Sequence, residues 1–159
     1  MTARLTFEQW VPVPLRAVFR FFSDPANLPR LMPPALEARL VGRAIAPPAL
    51  AGTEIAVSIR PFPFLPLRTL WIARITEFEQ DHHFADIQAK GPFRRFAHRH
   101  EFERSSRDGR EGTIVRDLVE YDLGFGPLGT AAQRLFVARQ LQRTFQHRQK
   151  TLETLLSAE

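Results

Sequence analysis

His98 and His100 stand two residues apart in Arg95-Phe96-Ala97-His98-Arg99-His100-Glu101-Phe102-Glu103. Side chains alternate between the two faces of a strand. One face therefore carries Phe96, His98, His100 and Phe102, and the other Arg95, Arg99, Glu101 and Glu103. Four charges cannot share an apolar interior, so their row marks the solvent side and both imidazoles point inward. The same logic sets Val115, Asp117, Val119 and Tyr121 inward, against Arg116, Glu120 and Asp122. Phe84, Asp86 and Gln88 join them by adjacency, although Ile87 leaves that strand open to either orientation.

An inward group of Asp86, Gln88, His98, His100, Asp117 and Tyr121 is costly to bury unless its members bond one another or a ligand. Carboxylate–imidazole pairs could satisfy each other and hold the sheet in register. They could instead orient the polar end of an apolar ligand. In a catalytic reading, His98 or His100 acts as general base while Asp86 or Asp117 fixes its tautomer. Two histidines and a carboxylate could also bind a metal, but adjacent strands hold many His–Asp contacts without one, and no metal or other cofactor is expected. HExxH, P-loop and dinucleotide glycine patterns are absent.

The elements that must position this group follow from hydrophobic period. Residues 3–11 alternate as a first strand, stopped by Pro12 and Pro14. Leu15, Val18, Phe19 and Phe22 form the apolar stripe of a short helix, and Ser23-Asp24-Pro25 caps and restarts a second one through about Leu31. The period then becomes two, with strands expected at 36–43, 53–60, 67–79, 82–90, 93–105 and 112–122. Turns at Gly52, His82-His83, Gly91-Pro92 and Asp108-Gly109 make these an antiparallel meander. Beyond the hinge-like Gly124-Phe125-Gly126-Pro127-Leu128-Gly129, a long helix carries Leu128, Ala131, Leu135, Ala138, Phe145, Leu152 and Leu155 or Leu156 on one stripe. Its greasy face needs the sheet, and a strongly bent sheet leaves a hollow beneath a single helix.

The chain has 159 residues, 44% of them hydrophobic and 25% charged, as expected for one globular α+β domain. Without cysteine, disulfides and thiolate chemistry are excluded. No run approaches the roughly 20 apolar residues of a membrane helix, and the N-terminal segment does not read as a signal peptide, so a cytoplasmic location is expected. The net charge is +5, but the arginines are scattered among acids and no nucleic-acid motif is present. Nucleic acid is therefore not an expected partner.

Arg60-Pro61-Phe62-Pro63-Phe64-Leu65-Pro66-Leu67-Arg68 is unusually apolar for a connection, and its prolines bar it from a central strand. It reads as a flap over the cavity mouth, or as a docking surface for a partner or a membrane, with Arg60 and Arg68 suited to anionic headgroups.

The element order, with Trp10-Val11-Pro12, the run from Val18-Phe19-Arg20-Phe21-Phe22-Ser23 to Asp24-Pro25-Ala26-Asn27-Leu28, and Gly112-Thr113, resembles the START-like (Bet v 1-like, polyketide cyclase/dehydrase and lipid transport) superfamily across essentially the whole chain. Phe84-Ala85-Asp86-Ile87-Gln88-Ala89-Lys90-Gly91-Pro92-Phe93, His98-Arg99-His100-Glu101-Phe102 and Tyr121-Asp122-Leu123-Gly124-Phe125-Gly126-Pro127-Leu128-Gly129 are similar to a bacterial ligand-binding branch of it. The resemblance implies a helix-grip fold: a curved antiparallel sheet of about seven strands around a long C-terminal helix, with two short helices after the first strand. It implies binding of a hydrophobic or lipid-like molecule more than it implies any reaction. Superfamily members include carriers, sensors, chaperones and cyclases, and no shared catalytic signature transfers to this chain.

The expected cavity has apolar walls of Phe84, Phe96, Phe102, Val115, Leu135, Phe136 and Phe145. Its polar side holds Asp86, Gln88, His98, His100, Asp117 and Tyr121, and its entrance Phe62, Phe64, Leu65, Gly124, Phe125 and Gly126. The expected role is that of a carrier or sensor, monomeric or weakly homodimeric. The alternatives are a cyclase- or dehydratase-type enzyme using the His/Asp group, and an interaction module with transient membrane contact through residues 61–67.

Overall fold

The computed structural model describes residues 2–61, 66–124, 131 and 136–157. In chain order these form β1 (Ala3–Val11), α1 (Leu15–Ser23), α2 (Leu28–Leu31), β2 (Arg39–Val41), β3 (Glu54–Ile59), β4 (Thr69–Glu79), β5 (His83–Lys90), β6 (Arg95–Arg107), β7 (Arg110–Asp122) and α3 (Ala138–Ser157). Short 3-10 turns at Pro25–Asn27 and Pro34–Leu36 flank α2.

Pro14 caps α1 with its carbonyl, which accepts from the Ala17 and Val18 amides at 3.0 and 3.2 Å. The missing proline N–H costs nothing at that position. Val18 and Phe19 are fully buried, and Phe21 is buried beside the expected stripe. Asp24 Oδ1 accepts from the Ala26 amide at 2.9 Å, so the cap and restart lie where Ser23-Asp24-Pro25 placed them.

All seven strands pair antiparallel in one sheet of order β1-β7-β6-β5-β4-β3-β2. The expected strand at 36–43 shrinks to three residues. Leu36 lies in a 3-10 turn opened by Pro34, and Glu37 takes a left-handed conformation at φ 43°. Two register shifts interrupt the β4–β5 pair, one of them leaving Thr76 opposite no partner, and such bulges bend a sheet. Between β6 and β7, Asp108 and Gly109 adopt φ of 50° and 73°, the paired positive values that suit a tight hairpin.

Gly112 shows how closely β1 and β7 approach. A Cβ there would lie 2.5 Å from the Val11 carbonyl oxygen and 2.6 Å from the Trp10 ring.

The convex face carries the charge row. Arg116 binds Glu8 and Glu103 at 2.7 Å each, and Arg99 binds Glu77 and Glu101. The inward faces build two clusters: Val11, Phe19, Ile55, Val57, Ile75, Phe84, Phe102 and Leu152 in one, and Phe96, Val119, Tyr121 and Phe145 in the other. Gln149 Nε2 donates to the Glu8 carbonyl at 3.1 Å, and Gln9 Nε2 donates to the Gln149 carbonyl at 2.9 Å. These bonds fix the C-terminal half of α3 to β1. No helix among the described residues is long and apolar enough to cross a membrane.

Candidate functional site

Strand register stacks the polar group in two adjacent rows. Phe84 on β5 faces His100 on β6, which faces Asp117 on β7; one pair further along, Asp86 faces His98. His98 Nε2 donates to Asp117 Oδ1 at 2.9 Å. His100 Nδ1 lies 2.9 Å from the same oxygen, yet it makes no hydrogen bond because the approach is too oblique. The two imidazole rings lie 3.9 Å apart between centroids, and His100 packs on Phe84 at 4.4 Å. His98 Nδ1 points to Asp86 Oδ2 across 4.0 Å, longer than a hydrogen bond.

Burial and neighbours give each group a different charge preference. Burial opposes ionisation of Asp117, but His100, His98 and Arg148 overcome it and hold the carboxyl well below its usual range. Burial, reinforced by His98, lowers the His100 pKa to about 3, so its ring is neutral. Burial raises the Asp86 pKa against the pull of His98 and Arg148. The group thus holds one anchored carboxylate and one carboxyl that ionises less readily than a free one.

A cavity of about 440 Å³ opens beside these rows, bounded by α1, α2, the strands β3 to β6 and α3. That volume falls in the range of small-molecule sites, roughly 300–1,000 Å³. Of the expected residues, Phe84, Asp86, Phe96, His98, His100 and Phe145 line it. Asp117 lies behind the histidines, buried but off the lining. Phe102 packs beneath α1, 5.2 Å from Phe19 and 5.3 Å from Phe22 between ring centroids, and Val115 is buried in the same cluster. Tyr121 packs edge-on against Phe93, and burial raises its pKa.

Gln88 closes a hairpin instead. Its side chain donates to the Phe93 carbonyl at 2.7 Å and accepts from the Phe93 amide at 3.2 Å. Phe136 is 72% exposed. Ile87, 37% exposed, settles the orientation of β5.

Gly124 ends β7 in a turn at φ 76°, where its amide donates to Asp122 Oδ1 at 2.9 Å. Phe62, Phe64, Leu65, Phe125, Gly126 and Leu135 lie outside the described residues. The flanking Arg60 and Arg68 both bind Glu37, at 2.7 and 3.0 Å, so one carboxylate lies between the two guanidinium groups.

Several lining residues escaped the sequence reading. Phe21, Phe22, Leu31 and Met32 come from α1, α2 and the residue after them, and Trp71 and Ile75 from β4. Arg148 is the most informative omission. It stands three residues after Phe145 and four before Leu152, a charged residue set into an apolar stripe. Its guanidinium lies 4.9 Å over the Phe145 ring. Among the described residues it makes no hydrogen bond or ion pair.

Asp86, His98 and His100 each offer one donor atom, all within 4.8 Å of one another. Two imidazoles and a carboxylate suit iron or zinc in type. Arg148 nevertheless exerts its positive charge on Asp86 and His100, which works against a divalent cation there.

No curated protein sequence matches the chain. Among solved structures it is similar to Ara h 8.0201 (TM-score 0.71, 16% identity, all of both chains covered). It is also similar to Ms6760 from Mycobacterium smegmatis (0.66, 18% identity, 98% of this chain and 91% of that one). A third is a Thalictrum norcoclaurine synthase point mutant in complex with a transition-state analogue (0.63, 17% identity, 97% and 96%). These likenesses establish a Bet v 1-like helix-grip fold. With residues 11–150 matching it, the chain belongs to the polyketide cyclase / dehydrase and lipid transport family.

Proposed function

We propose that the protein binds a hydrophobic, lipid-like small molecule in the cavity between the sheet and α3, as a carrier or sensor. The observation that carries this reading is the lining itself: about 440 Å³ walled by phenylalanines, Trp71 and branched aliphatics, with polar groups gathered near Asp86, His98, His100 and Arg148. Few polar groups in an apolar pocket orient a ligand without making it water-soluble in kind.

Native mass spectrometry of protein purified from its own host should reveal a retained small mass. The neutral fluorophore N-phenyl-1-naphthylamine should brighten on addition to delipidated protein, and Leu31→Trp should suppress that uptake while leaving the circular dichroism spectrum unchanged. Uptake at full strength in the Leu31→Trp variant removes the cavity from the account.

A second reading has its own observation. Asp86 is a largely buried carboxyl whose pKa burial raises, on the cavity wall next to His98, and such a pair can pass a proton to and from a bound carbonyl compound. On that reading the protein is a cyclase- or dehydratase-type enzyme. Turnover of a poly-β-ketone substrate, lost in Asp86→Asn, would favour it; binding of that substrate without any conversion sets it aside.

A further inference from the structure

We propose that the ligand's polar end is an anionic oxygen, such as a carboxylate, enolate or phenolate, and that Arg148 is the residue that receives it. This rests on the cavity-binding reading above and adds the chemical class of the ligand to it.

Arg148 reaches the cavity from α3, the element opposite the histidine rows, and it is the one cation of the arginine or lysine kind among the described lining residues. Its stem lies on an apolar stripe and its guanidinium sits over Phe145 at 4.9 Å. The ring face favours a cation in that position but satisfies none of the five guanidinium donors. On the outer face of the sheet, by contrast, Arg99 and Arg116 each bind two carboxylates. A partly buried guanidinium with no bonded acceptor has donors left for one, and a planar fork suits an oxyanion in two-point contact.

The other charged neighbours permit an anion there. Asp117 faces Arg148 electrostatically, but it lies off the lining and bonds His98. Asp86 lies on the lining, and its carboxyl accepts no hydrogen bond among the described residues. Were it protonated, it would donate to a ligand oxygen instead of repelling it. Thr144, one turn before Arg148 on the lining, adds a hydroxyl. An occupant with an aliphatic or aromatic body and an acidic head therefore matches the walls and the cation together.

The test uses N-phenyl-1-naphthylamine displaced from the full-length protein at pH 8 by dodecanoate or by dodecanol, which share a body and differ in the charge of the head. The wild type should bind dodecanoate about tenfold tighter than dodecanol, the order expected of one charge-assisted contact. Arg148→Gln should weaken dodecanoate by about the same factor and leave dodecanol unchanged. Arg148→Lys, which keeps the charge, should retain part of the preference and guards against a variant that merely misfolds. Equal affinities in the wild type, or a preference that survives Arg148→Gln, overturn the anion assignment and leave the cavity reading in place. Failure of the fluorophore and both displacers to bind the wild type overturns both.

Discussion

Asp86 is the residue whose position is hardest to account for by stability. Its pKa is raised in the fold, so above the unfolded value the native state bears a carboxyl it would rather keep protonated, and stability declines as pH rises through the shift. Asp86→Asn should therefore raise the melting temperature at pH 7 by a few degrees, with the gain vanishing near pH 3, where both forms are neutral. A lower melting temperature at pH 7 would contradict this. His100 acts in the opposite sense. Its pKa falls from 6.5 to about 3, so on acidification the unfolded chain takes a proton that the native state refuses. Stability should fall from about pH 6.5 toward pH 3, by up to about 1.4 kcal/mol per pH unit for that one proton. Calorimetry of His100→Phe, which keeps an aromatic ring against Phe84, should show a correspondingly flatter acid limb between about pH 6.5 and the carboxylate range. Asp117, held low in the fold, adds its own loss only once the pH falls into the unfolded carboxylate range.

At the scale of elements, the contact of β1 with β7 depends on a position that admits only hydrogen. Gly112→Ala would drive a methyl into the Val11 carbonyl and the Trp10 ring, and backbone cannot swing aside as a side chain can. The expected cost is about 1–3 kcal/mol, read from urea unfolding; an unchanged midpoint would show that the two strands can separate freely. The inward faces of β6 and β7 were legible in the sequence because charges recur on their outward faces, whereas β5, whose Ala85, Ile87 and Ala89 carry no charge, could be placed only by adjacency. Five of the expected residues that line the cavity come from the inward faces of β5 and β6, and a sixth, Phe145, from α3. What alternation cannot give is which part of an inward face meets open space. Phe102 and Val115 satisfy the pattern fully and still pack against α1 or within its cluster. The contribution of α1 and α2 was hidden because their apolar residues read equally well as core. Arg148 was legible in principle: a charge at an i, i+3, i+7 position between Phe145 and Leu152 contradicts the stripe it occupies.

Taken whole, the molecule leaves about 440 Å³ beside its core unfilled, and that space can couple stability to occupancy. A ligand bound only by the native state adds about 2.7 kcal/mol when present at a hundred times its dissociation constant. For a chain of this length that should appear as a rise of about 5–10 °C in melting temperature. Dodecanoate is the first compound to try in differential scanning calorimetry, and no shift at saturation would mean that it does not prefer the native state. Chelation with EDTA should leave the melting temperature unmoved, since Arg148 shares the Asp86 and His100 neighbourhood. The sheet also has two rims, nine residues long at β1 and three at β2. β1 spends its Glu8 carbonyl on Gln149, and β2 runs for only three residues, with Leu40 and Val41 exposed upon it. A second copy seeking to extend the ladder at β2 would find too few rungs to hold. Strand-by-strand growth should accordingly fail at that border, where a longer, flatter one would seed fibrils.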